Sequence, residues 1–241
     1  MLLLRLEKLS RIVLDIKLIS ALFKGAAAGV EHLSVLKNLS CEYIIDVGAN
    51  RGQFALVARK VFPKAKIQSF EPLDEPAEIF KKVFEHDPDV TLYPFAVGSE
   101  RKNSTIHITK EDDSSSILPI TKTQSDIFPG SIEKETRQVM VYPLSEVIDP
   151  GSISPASLLK IDVQGYEMDV LQGCEGILEK FRYLYVECSF IELYEGQALA
   201  GQIIAWLEER NFILSSVHNL YYDKSGMALQ GDFLFSKMDN G

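Results

Sequence analysis

Apolar residues along this chain fall into two rhythms, and their alternation predicts the architecture. Tyr43 to Val47 is a short apolar run rich in β-branched residues, the pattern of a strand buried on both faces, and it carries one acid, Asp46. After a turn holding Gly48 and Gly52, the residues Phe54, Val57, Ala58 and Val61 recur at i, i+3, i+4 and i+7, so a helix packs back on the strand that feeds it. Ile67 to Phe70 predicts a second strand, and Ile79, Phe80, Val83 and Phe84 the buried side of a second helix, with Asp74 as its cap. Val90 to Val97 reads as a third strand and Leu158 to Val163 as a fourth, which turns through Gln164 and Gly165 into a helix buried by Val170 and Leu171. Tyr183 to Cys188 is a fifth; Leu199, Ile203 and Leu207 mark the next helix. Phe212 to Val217 and Asp232 to Ser236 close the pattern around a hairpin at Asp223 to Gly226. Strands alternating with helices predict an α/β fold with a mostly parallel sheet.

Two stretches stand outside this rhythm. Thr105 to Thr109 and Gln138 to Tyr142 alternate as strands do, and between them runs a long polar segment, Lys110 to Glu135, expected to lid the acceptor site. At the amino end, Leu6, Leu9, Val13, Ile16 and Ile19 predict an amphipathic helix that Gly25 and Gly29 loosen. Residues 1–39 therefore read as a helical extension and 40–241 as one domain. Arg5, Glu7, Lys8, Arg11, Asp15 and Lys17 interrupt the apolar start, which argues against a membrane span or a signal peptide. The helix is expected to cap the fold, with a homodimer contact or a peripheral membrane contact as alternatives.

Composition narrows the partners. A net charge of -9 argues against nucleic acid, whose phosphates call for a lysine and arginine surface. Cys41, Cys174 and Cys188 are odd in number and lack CxxC spacing, so neither a disulfide framework nor a zinc site is expected, and a cytoplasmic setting is the default.

The chemistry gathers at predicted strand ends. A glycine turn opening a helix can cradle a nucleotide, because glycines allow close approach and the helix start leaves N–H groups unpaired. Gly48-Ala49-Asn50-Arg51-Gly52 departs from the dinucleotide fingerprint GxGxxG. The pattern D-x-G-x-N-x-G suits S-adenosylmethionine better, with Asp46 meeting its amino group or neighbouring main chain. Glu71, closing the second strand before Pro72, would accept ribose hydroxyl hydrogens from that cofactor or from a nicotinamide dinucleotide alike. Ala96 and Val97 would offer a face to the adenine. Asp162 is the first choice of base for an alcohol acceptor and Glu187 the second; Glu167 and His107 are weaker candidates, and His32, His86 and His218 lack a constellation. Asp162 and Glu187 could hold a divalent ion, but their spacing does not assign one. The run Asp162-Val163-Gln164-Gly165 lacks the Pro-Pro-aromatic pattern that stacks a flipped base.

Three ordered motifs carry a resemblance. DVGANRGQF from Asp46, FEP at Phe70 to Pro72, and LLKIDVQGYEMDVLQG from Leu158 to Gly173 are similar to those of FkbM-type methyltransferases, over roughly residues 40 to 236. The resemblance implies a Rossmann-like class I methyltransferase fold, a three-layer sandwich around a mostly parallel seven-stranded sheet with an antiparallel last strand. It also implies S-adenosylmethionine held by Asp46, Gly48, Asn50, Gly52, Glu71, Pro72, Ala96, Val97, Asp162 and, from the serine run, Ser116. The activity it implies is O-methylation of a hydroxyl on a sugar, a glycan or a small natural product. A nicotinamide oxidoreductase is the weaker alternative, since none of the nine tyrosines is followed by lysine four positions on. A non-catalytic binding protein that keeps the cradle is the other.

Overall fold

Strand β1 (Tyr43–Val47) is buried at every position, and the two-residue period of a strand sorts its side chains into two cores. Tyr43, Ile45 and Val47 join Leu159, Ile161, Leu184 and Val186 on one face of the sheet. Ile44 joins Ile67, Leu158 and Leu234 on the other. A sheet with an apolar core on each face, covered by helices, is the three-layer solution.

The computed structural model describes residues 15–110 and 114–238. In chain order its elements are α1 (Ile16–Phe23), α2 (Leu33–Leu36), β1, α3 (Gln53–Val61), β2 (Lys66–Phe70), α4 (Asp74–Phe84), β3 (Val90–Tyr93), β4 (Ala96–Val97) and β5 (Lys102–Thr109). Then follow α5 (Lys122–Ile127), β6 (Glu133–Tyr142), α6 (Leu144–Val147), β7 (Ser157–Ile161), α7 (Glu167–Gly173), β8 (Tyr183–Ser189), α8 (Ala200–Glu208), β9 (Phe212–Tyr222) and β10 (Ala228–Lys237). The main sheet has seven strands in the order β3-β2-β1-β7-β8-β10-β9. Its strands run parallel except β10, which is antiparallel to both β8 and β9. This is the Rossmann-like methyltransferase sheet. The strand order reverses between β1 and β7, and ligands of such sheets bind outside the strand ends at that point.

Several elements differ from the sequence expectation. The expected third strand, Val90 to Val97, is broken at Pro94, which has no N–H for a ladder. Residues before it pair with β2 as β3, whereas Ala96 and Val97 leave the main sheet and pair with β6. The alternating runs on either side of the long polar segment are longer than their sequence pattern, and β5 and β6 form a second sheet, ordered β4-β6-β5. Its own core is Leu73, Ala96, Ile106, Ile108, Val139 and Val141. The described part of the segment between them is a built wall rather than a plain loop, holding α5 and the bridges His107 to Ser116 and Ile120 to Tyr194. Asp74 is the first residue of α4 and not its cap, which is Leu73.

The amino-terminal stripe is also out of phase with its expectation. Leu6, Leu9 and Val13 lie outside the described residues. Within α1 the buried side chains are Leu18 and Ala21, while Ile16 is 85% exposed. Packing rather than periodicity sets this phase: beyond Gly25 the chain buries Ala26, Ala28 and Val30 in the same core as Phe54 and Phe80, and Gly29 N–H donates to Gln53 O at 3.0 Å. No helix among the described residues is long and apolar enough to cross a membrane.

The two sheets are locked together at the end of α7. A Cβ built on Gly173 would stand 2.0 Å from the carbonyl oxygen of Gly98, which follows β4. Backbone blocks it there, so no side-chain rotation can relieve the clash. Gly173→Ala is expected to destabilise the fold by about 1–3 kcal/mol. Urea unfolding reads this as a lower midpoint, and an unchanged midpoint would show that the contact is not tight.

Candidate active site

A row of polar side chains crosses the sheet just inside its ligand-binding edge, and the strand register explains it. Asp46 on β1 lies opposite Lys160 on β7, Lys160 opposite Tyr185 on β8, and Glu187 opposite Asp232 on β10. Lys160 Nζ is 3.1 Å from Asp46 Oδ1 and 3.7 Å from Asp162 Oδ2, and donates to Gly48 O at 2.9 Å. Asp46 is fully buried and Lys160 only 5% exposed. Burial acts to lower the lysine's pKa, and the carboxylates of Asp46, Asp162 and Asp232 outweigh it, so the ammonium is held above its ordinary value. Neutralising Asp46 would leave this buried cation without its nearest counter-ion.

The glycine turn sits directly above that pair. Gly48 has φ +77°, and a Cβ there would stand 1.8 Å from Asp162 O, so glycine is required for the first turn to lie against the second. Every N–H from Gly48 to Gly52 has an acceptor. Gly48 and Ala49 donate to Phe70 O, Asn50 to Glu71 Oε2, Arg51 to Asn50 Oδ1, and Gly52 to Ala49 O. This corrects the expectation of free amides at the cradle. A turn whose donors are all paired is a poor phosphate site, and one of those donors is taken by an acid. Glu71 is 6% exposed and is fixed in place by Asn50 N–H and Leu73 N–H, both at 2.9 Å.

The second turn, between β7 and α7, is organised by two side chains. Glu167 Oε1 accepts from Val163 N–H at 3.1 Å and Gly165 N–H at 3.0 Å. Gln164, in the left-handed region at φ +57°, donates from one amide nitrogen to Asp162 Oδ1 at 2.9 Å and to Glu187 Oε2 at 2.8 Å. Gln230 donates to the other Glu187 oxygen at 3.0 Å, and Tyr194 Oη donates to Gln164 Oε1 at 2.7 Å. Burial, followed by the nearby Asp162, Asp232 and Glu167 carboxylates, pushes the Glu187 carboxyl well above its ordinary value. That carboxyl stands one amide away from Asp162.

These features face a cavity of about 1040 Å³. Of the residues singled out from sequence, Gly48, Asn50, Glu71, Pro72, Ala96, Val97, Ser116, Asp162 and Glu187 line it. Ser116 is fully buried there and donates to Gln164 O at 2.6 Å. Asp46 and Gly52 stand behind the wall: Asp46 holds Lys160, and a Cβ on Gly52 would stand 2.7 Å from the Phe84 ring. Glu167 is likewise occupied by the turn it organises. His107 belongs to the second sheet, 2.7 Å from Glu133. His32, without visible partners in the sequence, lines the cavity with Nδ1 3.1 Å from Tyr185 Oη and 3.5 Å from Asp232 Oδ2. Lys160, Gln164 and Gln230 also emerge only in three dimensions. Among the described residues no group of three or more His, Cys, Asp and Glu side chains is arranged to hold a metal ion.

Comparison with known proteins fits this geometry. The family profile described as the Methyltransferase FkbM domain matches residues 46–214, from the acid of β1 into β9. The chain belongs to the FkbM methyltransferase family. It is 30% identical over 165 residues to the 2-O-methyltransferase NoeI of Sinorhizobium fredii, covering 64% of this chain and 66% of that one, just under two thirds of its length. It is 25% identical over 146 residues to the hexuronic acid methyltransferase AglP of Haloferax volcanii, covering 59% of this chain and 54% of that one. Among solved structures, a putative rRNA methylase from Clostridium thermocellum covers 88% of this chain and 96% of its own with a TM-score of 0.50 at 10% identity, a likeness of fold alone. This methyltransferase uses S-adenosylmethionine.

Glu167 yields a pH signature. Burial, against the opposing pull of its backbone donors, raises its carboxyl to about 7. A folded-state value above the unfolded one means that its contribution to stability is complete below about 4.5 and is lost as pH rises through about 7. Glu167→Gln keeps the acceptor oxygen and removes the titration. Across that window wild type is expected to lose on the order of 2–3 kcal/mol more stability than Glu167→Gln. Denaturant midpoints measured every pH unit test this, and parallel curves would contradict it.

Proposed function

We propose that the chain is an O-methyltransferase acting on a hydroxyl group of a sugar, a glycan or a small natural product. The observation that carries this reading is the Asp162 and Glu187 pair, held by a single Gln164 amide and facing the same cavity as Glu71 and the glycine turn. The named activities of NoeI and AglP support it.

The residues present fit S-adenosylmethionine. Among the described residues, the ionisable side chains of the cavity wall are four acids, Glu31, Glu71, Asp162 and Glu187, against Lys160 and His32. Such a wall suits a cofactor whose sulfonium and ammonium outnumber its one carboxylate. It suits a dinucleotide pyrophosphate poorly, since the turn that would cradle it has no free N–H. In this reading Glu71 accepts ribose hydroxyl hydrogens, and Ala96 and Val97, 7% and 2% exposed, give the base an apolar face. When bound, the cofactor supplies a methyl group already activated on sulfur, so the protein's task is alignment and removal of one proton. Asp162 would take the proton of the acceptor hydroxyl as that oxygen receives the methyl group leaving sulfur. Gln164 fixes the carboxylate that does so, and burial beside Asp162 raises the Glu187 carboxyl above its ordinary value, which disfavours a second negative charge at the same place.

Transfer of a labelled methyl group from S-adenosylmethionine, screened across sugars, glycans, polyketides and peptides, is expected to mark a hydroxyl oxygen. Asp162→Asn is expected to lower that rate by about 10²- to 10⁴-fold. Label found on nitrogen or carbon would contradict the O-methylation reading, and an unchanged rate in Asp162→Asn would remove Asp162 as the base.

A further inference from the structure

We propose that the outer part of the cavity is a chamber for an uncharged polyhydroxylated ring, a sugar unit without a carboxylate, which lays its C–H face on Phe128 and Tyr221 and donates one hydroxyl to Gln124 Oε1. This rests on the O-methylation reading and specifies the acceptor for it.

The first observation is an unanswered acceptor. Gln124 is 2% exposed and lines the cavity; its Nε2 donates to Tyr194 Oη at 3.1 Å, while its Oε1 is buried without a hydrogen-bond partner. The helix that carries this side chain is anchored at its start. Thr121 caps α5 by accepting from Gln124 N–H at 3.1 Å and ties the helix to the main domain by donating to Leu193 O at 2.7 Å. A buried acceptor left open on the wall of a cavity is matched by a donor on the ligand.

The second is an aromatic surface beside it. Phe128 and Tyr221 come from the wall segment and from β9, their ring centroids 5.0 Å apart and tilted by 43°, and both line the cavity. Tyr221 is 45% exposed, so this surface lies toward the opening. Aromatic faces pair with the apolar C–H side of a pyranose while hydroxyls at its edge find polar partners.

The third is charge. Among the described residues lining the cavity, Lys160 is paired with Asp46 and His32 faces Asp232, so a carboxylate on the acceptor would meet Asp162 with no unpaired basic side chain beside it. Repulsion of that kind selects against the wrong ligand as effectively as contacts select for the right one. The chamber thus differs from one suited to the hexuronic acid in AglP's name.

Ligand-observed NMR, with the full chain saturated by S-adenosylhomocysteine, tests this on neutral methyl pyranosides of gluco, galacto, manno, fuco and rhamno configuration beside methyl glucuronide and methyl galacturonide. At least one neutral pyranoside is expected to bind about tenfold or more tightly than either uronide. Tyr221→Ala, a change at an exposed position, and Gln124→Leu are each expected to weaken that pyranoside about tenfold while leaving S-adenosylhomocysteine affinity unchanged. Uronides that bind as well as neutral sugars overturn the proposal, as do variants that bind like wild type. S-adenosylhomocysteine binding without any pyranoside overturns the chamber alone; loss of both overturns the chamber and the methyl-transfer reading together.

Discussion

The buried ion pair between Asp46 and Lys160 joins the two halves of the site. It bridges β1 and β7 where the strand order reverses, and through the Gly48 carbonyl it also holds the glycine turn. An ion pair this deep adds little net stability, because desolvation offsets most of its attraction, but either partner alone would be costly. Its consequence is geometric and electrostatic. The first turn is clamped against the second, close enough that Gly48 cannot carry a Cβ, and the cation is neutralised from behind. What faces the cavity is therefore acidic.

That acidity explains how a nucleotide-type turn serves a sulfonium cofactor. Turns of this shape hold phosphates when their backbone donors are free. Here the neighbouring strand end takes two of those donors at Phe70 O and Glu71 takes a third, so Glu71 is anchored by the turn it faces. The second turn repeats the logic, with Glu167 gathering two amides and leaving Asp162 and Gln164 toward the ligand. In the first turn the carboxylate that ties the backbone also lines the cavity, whereas in the second the two tasks fall to different side chains.

Much of this was legible in the sequence because it is local. Short apolar runs followed by helical periodicity located β1, β2, β7 and β8, and the acids at their ends fell where register later aligned them. What escaped depended on distant pairing. Pro94 was visible, but that the chain changes sheets there depends on β6, more than forty residues on. Asp46 looked like a ligand contact because nothing local shows that Lys160 reaches it across 114 positions. Gln164 and Gln230 gain meaning only through Glu187, and Gln124 only through Tyr194. The phase of α1 was misjudged because the chain after Gly25, not the helix itself, decides which side is covered.

The central claim is that the acid-lined hollow at the switch point takes a sulfonium nucleoside. Calorimetric titration of wild type and Glu71→Ala with S-adenosylmethionine and with NAD measures this most directly. The account predicts saturable binding of S-adenosylmethionine, weakened by about 1–3 kcal/mol in Glu71→Ala, and no binding of NAD. Binding of NAD with no response to S-adenosylmethionine would contradict it.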